Sequence, residues 1–134
     1  MAAVAAVAGM VAWWQQQQRR PAPTATPGAP PGSLDRRDFR APAAPLLIAV
    51  FTSATCSSCD AVWAELAGYE SPNVATQNVE VGDEPALHSR YNIESVPTAV
   101  IVDRSGETQA AFVGPIGPDH RVVLRDLIAQ ADHR

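Results

Sequence analysis

The chain has 134 residues, 46% of them hydrophobic, and a formal net charge of −4. Twenty-four residues are Ala, and seven of the twelve Pro fall between Pro21 and Pro45. One uniform fold is therefore excluded, and the core must come from roughly the last 90 to 100 residues, enough for one small domain. There are ten Arg and no Lys, and from Leu46 onward five Arg stand against twelve acids, a local charge of −7. That balance excludes nucleic-acid binding through backbone phosphates, which needs a basic stripe.

Residues 1–14 form an Ala/Val run with no charged side chain that includes Met10, Trp13 and Trp14. As a helix, fourteen residues span about 21 Å, short of the roughly 30 Å hydrocarbon core. Counted through Gln18, with Arg19 and Arg20 snorkelling, the reach approaches that thickness. A secretory signal needs a basic stretch before the run and a small-residue cleavage site after it. Here nothing basic precedes the run and four Gln follow it. No Cys follows closely, which excludes a lipoprotein anchor. Residues 1–18 are expected to be a single-pass hydrophobic membrane anchor, with a signal-like helix as the alternative. Arg19 and Arg20 then favour a cytoplasmic position for the downstream chain by the positive-inside rule, the extracytoplasmic face being the alternative.

Residues 19–45 are Pro/Ala-rich and read as an extended linker. Within it Leu34 and Phe39 are candidates to dock on the domain as a vestigial first element. Arg36, Arg37 and Arg40, with Arg19 and Arg20, suit an anionic membrane surface, diluted by Asp35 and Asp38.

From Leu46 the pattern becomes regular, and residues 46–134 are the expected domain. Residues 46–51 (Leu-Leu-Ile-Ala-Val-Phe) form a continuous apolar run, as for a strand buried on both faces. A small polar turn, 52–55, follows. Cys59, Val62, Trp63 and Leu66 then make a helical stripe ending near Gly68. Residues 73–81, with Val74, Val79 and Val81, predict a second strand. Glu84-Pro85 opens a short helix to about Tyr91, with Pro where its missing N–H costs nothing. Residues 98–102 (Thr-Ala-Val-Ile-Val) and 107–113 are strands joined by the Arg104-Ser105-Gly106 turn as an antiparallel hairpin. A closing helix over about 119–131 presents Val123, Leu124, Leu127, Ile128 and Ala131. The β-α-β half gives a parallel pair through a right-handed crossover, so the expected architecture is α/β, a mixed four-stranded sheet flanked by helices.

The only cysteines, Cys56 and Cys59, stand C-x-x-C where a buried strand turns into a helix. A helix N-terminus stabilises a thiolate, and the i,i+3 spacing is within disulfide reach. One sulfur can attack a partner's disulfide and the other can resolve the mixed disulfide. Cys56, nearer the exposed turn, is the expected nucleophile, and Cys59, one turn inside, the expected resolver. A structural disulfide is an alternative. A zinc site is another, but it lacks its second half, because His88, His120 and His133 are dispersed and unpaired. No metal is expected, and all three histidines are expected to be solvated.

These features together resemble the thioredoxin family. The resemblance rests on residues 46–66 around the C-x-x-C, on Ser95-Val96-Pro97-Thr98 before an apolar strand, and on Phe112-Val113-Gly114 before the last helix. It implies a cis Pro97 facing the sulfurs, a Val96 backbone that pairs with an extended substrate segment, and Gly114 beside the same groove. The departures are Thr55 in place of a Trp, Ser57-Ser58 in place of Gly-Pro, Asp60 in place of a Lys, and Val50 in place of a buried acid that relays the resolving thiol's proton. Asp60 also opposes thiolate formation. The family's first strand and helix are missing or reduced to residues 33–40.

The expected function is thiol–disulfide oxidoreduction with a protein partner at or near a membrane. The cysteine pair is itself the redox centre, so no cofactor is expected, nor any nucleic acid. Two other readings stand beside this one: a non-enzymatic binding or scaffold module using the groove beside Pro97, and a redox sensor.

Overall fold

The computed structural model describes residues 8–14 and 28–133. Residues 8–14 are helical, with Met10, Trp13 and Trp14 exposed. Among the described residues no helix is long and apolar enough to cross a membrane, and the rest of the expected 1–18 anchor lies outside them.

A short 3-10 turn, Arg36–Asp38, precedes seven regular elements. In chain order these are β1 (Leu46–Thr52), α1 (Cys59–Ala67), β2 (Val74–Glu80), α2 (Pro85–Arg90), β3 (Thr98–Asp103), β4 (Thr108–Val113) and α3 (Pro118–Asp132). The strands form one sheet in the order β2-β1-β3-β4. β1 runs parallel to β2, with Leu46 opposite Val74 and Thr52 opposite Glu80. β3 is antiparallel to both β1 and β4, with a register shift between Ile101 and Val102. The mixed four-stranded sheet expected from the sequence is thus present.

β1 is apolar along its length because it has water on neither side: all seven of its residues are buried. Strand alternation sends Leu46, Ile48 and Val50 to one face, where they pack with Ala99, Ile101 and Phe112, with Val62 and Leu66 of α1, and with Leu124 and Ala131 of α3. Leu47, Ala49 and Phe51 go to the other face, with Ala75, Val79, Val100 and Val102.

That second face is closed by α2 and by a strap, residues 33–44, so this part of the expected 19–45 linker lies docked on the domain through Leu34 and Phe39, the two residues offered for it. Leu34 and Phe39 are buried in the second cluster, with Leu87, Tyr91 and Ile93 packed around it. Ser33 bridges to Glu107, and Leu34 N–H donates to Gly106 O at 2.8 Å. Arg36 is only 6% exposed. Its guanidinium donates to the carbonyls of Ala44, Asp103 and Ala41, each at 2.9 Å. Burial pushes its pKa down, with Asp103 opposing. Of the basic residues expected to face a membrane, Arg36 is spent inside the domain, Arg37 and Arg40 stay at the surface, and Arg19 and Arg20 lie outside the described residues. Arg37 pairs with Asp35, and Arg40 with Glu70. The Arg37 side chain and backbone N–H hold the Asp35 carboxyl at about 2. Tyr91 closes the strap, its hydroxyl donating to Asp38 at 2.5 Å and accepting from Asp35 N–H at 2.9 Å. The strap can lie against the domain because most of its buried polar groups find partners, Arg36 Nε being the exception among the described residues.

Gly106 shows how closely the strap lies. Its φ is +89°, and an added Cβ would stand 2.0 Å from Leu34 O. Gly106→Ala is expected to destabilise by more than the ~1–2 kcal/mol of the left-handed conformation alone, because it also displaces the strap. Leu34→Ala, which leaves that turn intact, is expected to cost about 2–4 kcal/mol. Urea melts of the variants measure both losses, and a Leu34→Ala protein as stable as wild type would mean that the strap does not belong to the core.

Candidate functional site

The end of the sheet where β1 and β2 stop and β3 starts gathers the sequence-predicted residues. β1 delivers the chain to residues 53–58, and α1 takes it away again. Cys56 and Cys59 are joined as a disulfide, with their Cα atoms 5.4 Å apart. Cys56 N–H donates to Ser53 O at 3.1 Å, and Cys59 N–H to Cys56 O at 3.3 Å, so the pair winds directly into the first turn of α1. Ser58 caps α1 without a side-chain hydrogen bond. Beyond the Cys59 N–H, the first turn receives no side-chain cap, so its positive end faces whatever charge develops at the sulfurs. The two cysteines differ in access. Cys56 is half-buried, whereas Cys59 is 1% exposed and packs beside Val62 and Leu66 on the inner face of α1.

The Val96–Pro97 peptide bond is cis. Thr98, the next residue, pairs with Phe51 of β1 and with Val113 of β4. Pro97 and Gly114 are tied directly, Gly114 N–H donating to Pro97 O at 2.9 Å. Gly114 has φ +89° and nothing within 4 Å of an added Cβ, so the backbone is open on that side. The register thus brings Val96, Pro97 and Gly114 to the same end of the sheet as the disulfide. Val50 lies one pair further in, between Asn78 and Ala99, fully buried among apolar side chains. No titratable group occupies that position.

One residue of this end was not anticipated. Glu80, the last of β2, accepts from Ala54 N–H and Asp83 N–H, both at 3.0 Å. It pins the turn before Cys56 to the turn after β2. The backbone N–H of Gly82, followed by those of Asp83 and Ala54, holds its carboxyl below the usual glutamate range against some burial. The signal was an acid at a strand end followed by Val81-Gly82-Asp83, a turn with N–H groups to offer.

Two histidines depart from expectation. His88 is 7% exposed rather than solvated, its Nε2 2.7 Å from Val79 O and its ring edge-on to Phe51. His120 stacks on Phe112 with centroids 4.3 Å apart, and its Nδ1 accepts from Gly117 N–H at 3.1 Å. His133 is exposed. Among the described residues no three His, Cys, Asp or Glu side chains come together to hold a metal ion.

The geometry defines a small α/β domain with a disulfide at the mouth of a helix, beside a cis proline. Solved structures share this fold, two of them as follows. A designed protein solved by crystallography is 30% identical over 72% of this chain and 88% of its own, with a TM-score of 0.57. The thioredoxin of Fasciola hepatica is 24% identical over 65% of this chain and 81% of its own, with a TM-score of 0.50. The fold is thus the thioredoxin fold. No protein-family model and no curated protein matches the chain.

In the reduced protein, Cys56 is expected to alkylate with iodoacetamide more than about tenfold faster than Cys59, as read by mass spectrometry of quenched digests. Equal rates would contradict the burial difference. Glu80 has a second, pH-dependent signature. Its pKa is lowered on folding, so its contribution is complete above the ordinary glutamate range and is lost as pH falls below it. Amide protection at Ala54 and Asp83, taken relative to the intrinsic exchange rate at each pH, should therefore fall in acid in wild type, and already at neutral pH in Glu80→Gln.

Proposed function

We propose that the domain is a thiol–disulfide oxidoreductase acting on a protein partner, with Cys56 as nucleophile and Cys59 as resolver. The observation that carries this reading is the asymmetry of the pair: an accessible sulfur ahead of a helix N-terminus and a buried one a turn inside it. In the reducing direction the Cys56 thiolate attacks one sulfur of the partner's disulfide. A Cys56–partner bond forms, and the first partner thiolate leaves. Cys59, deprotonated, then attacks Cys56 Sγ, forming the Cys56–Cys59 bond and expelling the second partner thiolate. Two electrons pass from the domain to the partner, and the two thiol protons end on the partner's sulfurs or in water. The oxidising direction is the reverse. With Val50 beneath the site, the Cys59 proton is passed to solvent rather than to a buried acid.

Val96, Pro97 and Gly114 would receive the partner as an extended segment. The left-handed Gly114 and its open surface support that role, since backbone can approach where no side chain intervenes. A tether to a lipid bilayer is part of the same reading. It rests on the uncharged 1–14 run, whose described part is a helix with Trp13 and Trp14 exposed at 63% and 59%. Arg19 and Arg20 favour a cytoplasmic position for the domain.

The apolar Val50 and the acid Asp60 at the start of α1 favour a second reading, a module that binds through the same groove without turnover. Turnover separates the two. Reduced wild-type protein is expected to cleave insulin disulfides, Cys56→Ser to lose at least about a hundredfold of that rate, and Cys59→Ser to accumulate a mixed disulfide visible on non-reducing gels. A Cys56→Ser protein as active as wild type would sink the catalytic reading.

A further inference from the structure

A cleft of about 170 Å³ opens beside the disulfide, between α1 and the segment that leads into α3. Its walls are Ala61, Val62, Pro115 and Ile116. Ser58 stands at one end, with its Oγ 3.6 Å from Cys56 Sγ, and Glu65 with Arg121 at the other. The space is large enough for one unbranched side chain.

The charged end is unevenly used. Arg121 directs both Nε and Nη2 onto a single oxygen of Glu65, at 3.0 and 2.7 Å, and Nη2 also reaches Ile116 O at 3.3 Å. Glu65 Oε2 is buried and accepts no hydrogen bond among the described residues. An unpaired buried carboxylate oxygen is costly, and a cation is the group that relieves it. The arginine is already engaged, so a carboxylate arriving at this end would meet Glu65 as a repulsive neighbour. The Arg121 side chain is about half exposed, so it can yield as a second cation approaches.

We propose that this cleft selects the partner polypeptide: it receives a lysine side chain that flanks the partner's reactive cysteine, the stem lying on Val62, Pro115 and Ile116 and the ammonium reaching the Glu65 carboxylate. Glu65 is then a specificity-determining residue. This inference rests on the oxidoreductase reading above, and its test separates the two.

Prereduced protein, freed of reductant, is mixed in single turnover with disulfide-linked peptides. Lysine, norleucine or glutamate is scanned through the three positions on each side of the cysteine, with hydroxyethyl disulfide as a substrate lacking side chains. One position is expected at which lysine is reduced about three- to fivefold faster than norleucine, and glutamate slowest, the size of a partly exposed ion pair. Glu65→Gln, which keeps an acceptor for Arg121, is expected to bring that lysine-to-norleucine ratio to about one. Arg121→Gln, which releases Oε1 as well, is expected to widen it. A general loss of packing would move the two variants in the same direction. Equal rates for all three residues at every position, a preference for norleucine, or a ratio unmoved by Glu65→Gln would overturn the inference while hydroxyethyl disulfide is still reduced. Failure to reduce any of the substrates would instead overturn the oxidoreductase reading, and this inference with it.

Discussion

Burial of β1 on both faces is the constraint from which the other elements follow. A strand with seven buried residues needs a neighbour on each edge and a cover on each face. β2 and β3 supply the edges, α1 and α3 one cover, and α2 with the strap the other. The strap is the least conventional of these covers. It has no long helix with which to bury area, only Leu34, Phe39 and an arginine whose two Nη groups are met by carbonyls while its buried Nε has no partner among the described residues. A buried guanidinium is tolerable only under such satisfaction, and Arg suits it because its fork can reach several acceptors at once. One of the charges that composition alone assigned to a basic tail, Arg36, is therefore a structural bolt.

The same constraint explains where chemistry can occur. A strand dry along its length meets water only where it ends, and β1 ends at the turn carrying Cys56. The disulfide thus lies at the boundary between a rigid core and solvent, one sulfur on each side of it. Glu80 and the Gly114–Pro97 hydrogen bond hold the flanking turns, so the surroundings of the sulfurs are set by backbone contacts more than by side-chain packing. A site preorganised in this way loses little entropy when a partner segment docks.

Much of this was legible in the chain. The apolar run of β1, the helical stripe after Cys59, the hairpin turn at Gly106 and the order of elements all follow from periodicity and turn chemistry, and the sheet they imply is the one observed. What was not legible depends on distant partners. Arg36 and Arg37 are neighbours with the same side chain, and only the folded hairpin, which presents Asp103 O to Arg36, distinguishes the buried one from the exposed one. His88 is buried because Phe51 and Val79 surround it, and neither is near it in sequence. The Pro-rich stretch before Leu46 has the composition of a tether, yet Leu34 and Phe39 decide the fate of its second half. Glu80 and the Glu65–Arg121 pair are ordinary surface charges until the fold brings their partners to them.

The strap also sets an order of events during synthesis. Its residues are made before β1, but their partners, Asp103, Gly106 and Glu107, come only after β2 and α2. Contacts across some 67 residues cannot form until the β3–β4 hairpin exists. The strap therefore waits, undocked, while β1 and β2 pair and while the apolar face it will cover stands open. For a growing chain that interval is the period of greatest exposure to non-native pairing. The charges of Asp35, Arg36, Arg37, Asp38 and Arg40 in the waiting segment disfavour its addition to the nascent sheet before its place is ready.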